Sequence, residues 1–415
     1  VKGKVSYMAQ IEVQDIKKTP RFAFQSKSFT IFMSGSFVSR VGDWMDLVAL
    51  NWAVLQFTNS PIHLGIINAC RLVPTFLLSV PAGILADRMD RRKVLIWLQI
   101  GMMFLTFILG FLIKEEPAFW LFAFIVTLRA MLAAMDPPVR NAFIPNLVPQ
   151  SSMASAIAIN TMTINLSRMI GPAIAGILIG MTDIANIFYI NAWGTFSVLI
   201  SLSLIRNNFQ PLKRKVEGEK ITFSEAVKFV REKPSVQSLL ILAIVPMIFG
   251  FPYTTMTPLF ARELLHLGPE GFGMLLSISS VGAIAGTTWL SIGKEINEPG
   301  KWLIYSIISF GCSLLLFIGT ANLMIAGIAM FLVGLTSQTY RTLSRITLQK
   351  QVPDHLRGRI LSIALMDRGF IPLGALLIGA IATSLGTHWA GNVMGLGCIV
   401  TTLIIVMKRK QIMKI

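Results

Sequence analysis

An all-α, polytopic membrane protein is the fold class this sequence predicts. Three observations carry it: apolar runs long enough to cross a bilayer, a shortage of charge, and a one-sided placement of the charge that remains. Of 415 residues 54% are hydrophobic and 14% are Asp, Glu, Lys or Arg, against about 25% charged in soluble domains. Mean hydropathy is +0.67. Repeated segments of roughly 20 apolar residues match the length a helix needs to cross ~30 Å of hydrocarbon.

Residues 1–28 are polar, mixed in charge, and read as a tail. The apolar run that follows is too long for the hydrophobic core of a cleavable signal, so the first span is expected to be retained. Spans are predicted at 29–56, 62–86, 94–113, 117–135, 153–180 and 186–206, an N-terminal bundle over 29–206. Residues 207–235 form the largest polar interruption. Within it Ser224, Glu225 and the spacing of Phe223, Val227 and Val230 predict a short capped helix lying on the membrane surface. Spans at 236–261, 268–292, 302–320, 323–343, 359–384 and 388–407 make a C-terminal bundle over 236–407, and 408–415 is a basic tail.

With both termini on one side, 30 of the 37 Lys and Arg fall on the inner face and two, Lys114 and Arg262, on the outer. That asymmetry predicts a multi-pass protein of the cell membrane with cytoplasmic termini. It also accounts for the net charge of +17 through orientation and anionic headgroups, so no nucleic-acid partner is expected. Cys70, Cys312 and Cys398 are isolated in apolar segments, and the four histidines are scattered near span ends. Neither disulfides, a metal site nor another cofactor is predicted. No Gly-Lys pair is followed by the Ser or Thr of a phosphate-binding loop, and Gly293-Lys294, followed by Glu295, has Thr288 where such a loop needs its first glycine; Gly-x-Ser-x-Gly and His-Glu-x-x-His are absent. An ATP-driven pump and a hydrolase are both excluded, and the chain reads as no enzyme.

Val148-Pro149-Gln150 before span five is echoed by Val352-Pro353-Asp354 before span eleven, 204 residues on. Two six-span halves around a central cavity is the transporter architecture this repeat implies.

The loop after span two reads Gly83-Ile-Leu-Ala-Asp87-Arg88-Met-Asp90-Arg91-Arg92-Lys93. It resembles the signature of the major facilitator superfamily, with Asp90 where the pattern has Gly. Arg129 with Ala133 resembles the Arg-x-x-x-Gly element of span four that superfamily antiporters tie to proton coupling, and Gly171-Pro172-Ala-Ile-Ala175-Gly176 is similar to their span-five element. With Gly42-Asp43-Trp44, Thr58-Asn-Ser60-Pro61, Phe143-Ile-Pro145 and Pro353-Asp-His-Leu-Arg357-Gly358-Arg359, the whole chain resembles the bacterial branch holding macrolide-efflux pumps and the enterobactin exporter. The resemblance implies a major facilitator fold of 12 transmembrane helices in two pseudo-symmetric bundles and proton-driven export. It also implies a cytoplasmic gate of Gly83, Asp87, Arg88, Arg91 and Asp136, with Asp136 clamping Arg88 or Arg91.

Ionisable residues at span centres are costly in lipid and mark function. They are Arg40, Asp43, Asp46, Arg71, Arg129, Arg168, Asp367 and Arg368. At 100° per residue Arg40, Asp43, Leu47 and Asn51 lie within about 80° of one another, with Asp46 about 60° from Asp43. Arg40 and Asp43 are therefore expected to pair. Asp46, the more isolated, is the expected proton carrier, with Asp43 and Asp367 as alternates. Five central arginines against three aspartates favour an anionic or zwitterionic amphiphile, bound by Arg40, Asp43, Trp44, Asn51, Arg71, Arg168 and Arg368, with Trp52, Phe37 and methionines as an apolar wall. The expected partners are a small-molecule cargo, drug or siderophore-like, with protons and the bilayer, for a monomeric carrier. An importer, facilitator or lysolipid flippase on the same fold is the alternative, followed by a non-transporting receptor.

Overall fold

The computed structural model describes residues 22–115, 118–205, 223–292 and 296–414, less the side chains of 79–80, 82–88, 223–224, 354 and 414. Most of the predicted tail 1–28, most of the 207–235 linker, Arg206 and the Gly293-Lys294-Glu295 run lie outside the described residues, as do the side chains of Gly83, Asp87, Arg88 and Ser224.

The N-terminal half consists of α1 (Lys27–Thr58), α2 (Pro61–Arg88), α3 (Arg91–Lys114), α4 (Phe119–Phe143), α5 (Met153–Met181) and α6 (Ile184–Leu204). A surface helix, α7 (Phe223–Glu232), leads into α8 (Pro234–Val245), α9 (Tyr253–Leu264), α10 (Pro269–Ile292), α11 (Pro299–Ile318), α12 (Leu323–Gln351), α13 (Asp354–Leu365), α14 (Phe370–Leu385) and α15 (Thr387–Lys408). Local chemistry sets the starts. Proline, which lacks the amide hydrogen a first-turn residue does not need, opens α2, α8, α10 and α11. Asp90 caps α3 by accepting from the amides of Arg92 and Lys93 at 2.9 and 3.2 Å, which explains an acidic residue where the superfamily pattern has Gly. Asn322 does the same for α12.

Eleven segments among the described residues are long and apolar enough to cross a membrane. The remaining long helix, α1, has 32 residues, a length of about 48 Å, but carries Arg40, Asp43 and Asp46 mid-length. It packs against α5 and α6, where protein replaces lipid around those charges. Two predicted spans are interrupted. Between α8 and α9 the chain makes a π-helical turn over Pro246–Gly250, with the Phe251 amide donating to the Pro246 carbonyl at 2.7 Å; Pro246 and Pro252 remove two helical donors there. Between α13 and α14 a 3₁₀ turn, Met366–Gly369, carries Asp367 and Arg368. Conversely, α4 and α12 continue two turns beyond their predicted ends at 135 and 343.

Packing repeats between the halves. In the first, α1 meets α5 and α6, α2 meets α4, and α3 meets α4 and α6; in the second, α10 meets α12, α11 meets α12 and α15, and α14 meets α15. The two most extensive pairings between the halves are α5 with α10 and α2 with α14, which a two-fold axis interchanges. The short sequence echo adopts one conformation twice. Val148 and Val352 are extended and buried, and Pro149 and Pro353 stand just before a helical segment.

The core is divided unequally. One apolar cluster runs through both halves at the end holding the 59–60 and 265–268 loops, joining Val54, Leu55 and Leu64 to Met256, Phe260, Phe272 and Ile378. At the opposite end each half keeps its own cluster, with Phe32, Leu95, Phe143 and Leu202 in one and Leu239, Leu303, Tyr340 and Ile360 in the other. The halves are sealed at the first end and parted at the second. On the parted side α7 buries Ala226, with Phe229 and Val230 packed alongside, against the second half's cluster.

Candidate functional site: a charged cavity between the halves

A cavity of about 430 Å³ lies between the halves. Helix α1 supplies Arg40, Asp43, Trp44 and Asp46; α2 supplies Asn68 and Arg71; α4 supplies Arg129, Asp136 and Arg140; α5 supplies Arg168 and Pro172; the second half adds Tyr253, Leu276 and Ser280. Close backbone approach shapes one wall. A Cβ on Gly171 would come within 2.5 Å of the Trp44 Cβ and 2.9 Å of the Val41 carbonyl oxygen, and one on Gly176 within 2.9 Å of the Pro269 carbonyl oxygen. The span-five element thus lets α5 touch α1 at the cavity and α10 at the sealed end.

Two ion pairs neutralise four of the charges, and they are not the pairs the spacing predicts. Arg129 donates from both terminal nitrogens to the two carboxylate oxygens of Asp46, 2.6 Å each, and from Nη1 to the Thr106 hydroxyl at 3.3 Å. Asp46 is therefore the locked carboxylate, not the isolated one. Asp43 makes no ion pair with any described residue, and Arg40 reaches only the Asn160 side-chain oxygen at 3.4 Å, its Nε buried without a partner. Helical angles place residues on a face of their own helix, whereas here the partner comes from α4.

Asp136 does not clamp Arg91. It accepts from Arg140, one turn along α4, at 2.8 and 2.9 Å, and from Gln99 Nε2 at 2.7 Å. Arg140 also donates to the Ser36 hydroxyl at 2.8 Å. Arg91 instead donates to the Ala142 carbonyl at 3.0 Å and the Asn146 side-chain oxygen at 2.8 Å, pinning α3 to the loop after α4. Arg140 stands four residues beyond Asp136, a helical spacing that Pro137 and Pro138 obscure in the sequence.

Other expected residues fall elsewhere. Asn51 is fully buried beneath the cavity, where its side-chain oxygen accepts from Asn68 Nδ2 at 2.6 Å, and Asn68 is the amide that lines the cavity. Trp52 stacks on Phe272 at 6.3 Å in the sealed end. Asp367 and Arg368 do not line this cavity. They border a second one, of about 230 Å³, with Arg341 and Arg345.

Among the described residues three guanidiniums in the main cavity lack a carboxylate partner: Arg40, Arg71 and Arg168, the last held 5.8 Å from the Trp44 ring centroid. Against them stands one unpaired carboxylate, Asp43. The wall carries an excess of two positive charges, and a water-accessible guanidinium offers planar, bidentate donors to a carboxylate-like group.

A family profile described as transmembrane secretion effector matches residues 19–414. The chain is similar to the staphyloferrin A transporter of Staphylococcus aureus, with 34% identity over 90% of this chain and 94% of that protein. It is also similar to macrolide efflux protein A of Streptococcus pyogenes, with 21% identity over 88% and 91%. Among solved structures, a bacterial homologue of the human lysosomal transporter Spinster, inward-facing and unoccupied, superposes with a TM-score of 0.72 at 16% identity, over 94% of this chain and 97% of that one.

Proposed function

Because the chain belongs to the transmembrane secretion effector family of major facilitator transporters, we propose that it is a proton-coupled exporter of an anionic, siderophore-like small molecule, working by alternating access. The observation that carries this reading is the cavity lined by Arg40, Arg71 and Arg168, opposite which Asp43 is the one unpaired carboxylate among the described residues. A lipophilic cation would meet repulsion there. A carboxylate or catecholate replaces the missing counter-charge, and the siderophore-transporting relative at 34% identity supports that class over a macrolide.

The two bundles, 29–206 and 236–407, rock about their shared sealed end, and the chain operates as a monomer in the cell membrane. The parted end carries most of the Lys and Arg, so it faces the cytoplasm and the conformation is inward-facing. Cargo enters from the cytoplasm and is held by the free arginines. Asp43 exchanges the proton, since it can do so without first breaking an ion pair, and the Asp46–Arg129 pair holds α1 to α4 throughout the cycle. Protonation from outside lowers the negative charge opposite the arginines and resets the carrier. One proton crossing ~100 mV supplies about 2.3 kcal/mol and each pH unit about 1.4 kcal/mol, sufficient for a gradient of tens to hundreds-fold.

The test is transport into inverted vesicles with an imposed pH gradient, using a hydroxycarboxylate siderophore as cargo. Wild type concentrates it, whereas Asp43→Asn retains cargo exchange at equal pH and loses the response to the gradient. Uphill transport by Asp43→Asn with unchanged pH dependence would remove Asp43 from the mechanism. Transport of a lipophilic cation in preference to the siderophore would remove the anion reading.

A further inference from the structure

The second cavity has a composition the main site does not require. It sits wholly within the second half, between α8, α12 and the 3₁₀ turn after α13, and is lined by Tyr340, Arg341, Ser344, Arg345, Asp367 and Arg368. Arg341 is held over the Phe251 ring, 4.8 Å from its centroid, which fixes a guanidinium at the cavity wall. Among the described residues none of the three arginines makes an ion pair, and a single carboxylate faces them. Arg345 and Arg368 are exposed, free to close on a ligand. Arg341 lies within electrostatic reach of both and, across the cleft, of Arg168 in the main cavity. Each wall of the cleft therefore carries the same imbalance, three unpaired guanidiniums to one unpaired aspartate, and the two walls repel.

Resting on the anionic-cargo reading above, we propose that Arg341, Arg345 and Arg368 form a second anion subsite for the same cargo, which is therefore a polyanion with acidic groups at two separated points, one bound by each half. Two features follow from the charges. A ligand with one acidic group neutralises one wall only. A ligand reaching both removes the repulsion that opposes closing the parted end, so the loaded carrier turns over and the empty one is held open. The break between α13 and α14 is part of the cavity wall, since its 3₁₀ turn carries both Asp367 and Arg368, and both line the cavity.

The experiment measures binding to the full chain in phosphatidylcholine nanodiscs, with α,ω-dicarboxylates from succinate to dodecanedioate against hexanoate. Wild type is expected to show a length optimum at which the dicarboxylate binds at least about tenfold more tightly than hexanoate, the size of one additional charge-assisted contact. Arg345→Gln/Arg368→Gln abolishes that advantage and leaves hexanoate binding in place. Arg345→Lys/Arg368→Lys, which keeps the charge, restores most of it and guards against loss through misfolding. Equal binding of di- and monocarboxylates by wild type, or an unaltered advantage in the Gln variant, overturns the second subsite while leaving the first. Absence of binding by every carboxylate overturns both. Loss of the advantage when phosphatidylglycerol replaces phosphatidylcholine would assign the three arginines to a lipid headgroup and overturn the cargo subsite.

Discussion

The Asp46–Arg129 pair offers a quantitative test of how the bundle tolerates charge at its centre. Both side chains are almost fully buried, at 5% and 10% exposure, and they meet through two 2.6 Å contacts. Removing one partner of such a pair strands the other, at a cost of about 3–5 kcal/mol. For Asp46→Asn the stranded group is Arg129, left with the Thr106 hydroxyl at 3.3 Å. For Arg129→Gln it is Asp46, which has Arg71 within electrostatic reach. That neighbour places the second variant near the lower bound, at about 3 kcal/mol. The double variant Asp46→Asn/Arg129→Gln leaves two amides able to hydrogen-bond, so its loss should also stay near ~3 kcal/mol in place of the roughly 6 expected from addition, a coupling of about 3 kcal/mol. Equilibrium unfolding in mixed micelles, followed by tryptophan fluorescence, measures all three. Additive losses would refute the pair as a lock between α1 and α4. A double variant no worse than wild type in folding yet inactive in proton-driven transport would move Asp46 back into the proton path.

Two further expectations concern how the halves meet. Arg262 donates from α9 to the Asn59 side-chain oxygen at 3.0 Å and the Leu55 carbonyl at 3.3 Å, bridging the halves at the sealed end; Arg262→Ala should weaken that seal by about 1 kcal/mol, the net worth of a partly exposed hydrogen bond. Distances between spin labels on the 90 and 353 loops would then shift toward the inner-closed population about fivefold, and unchanged distances would count against the latch. Gly171→Leu should force α1 and α5 apart and destabilise the fold by about 1–3 kcal/mol, whereas Gly358→Ala, with open space around it, should be neutral; equal effects in a thermal unfolding series would refute close approach as the role of the span-five element.

What the sequence could show followed from properties that are local or summed along the chain. Apolar run length and basic-residue placement located the spans and their expected orientation, because insertion acts on each segment and its flanks. Motif spacing identified the superfamily, and eight central charges pointed to the cavity or its second-half neighbour. Partnership among those charges was decided only by tertiary structure. Arg129 reaches Asp46 from another helix, Asn68 rather than Asn51 meets the cavity, and Arg140 takes Asp136, none of which a helical wheel can register. The breaks over Pro246–Gly250 and Met366–Gly369 likewise escaped prediction from apolar runs, since hydropathy is indifferent to backbone hydrogen-bond register. Sequence alone thus determined that this chain crosses the membrane repeatedly with charge at its centre. The packing of two bundles decided which of those charges cancel and which stay unpaired among the described residues, because electrostatic pairing depends on distances between helices far apart in the chain.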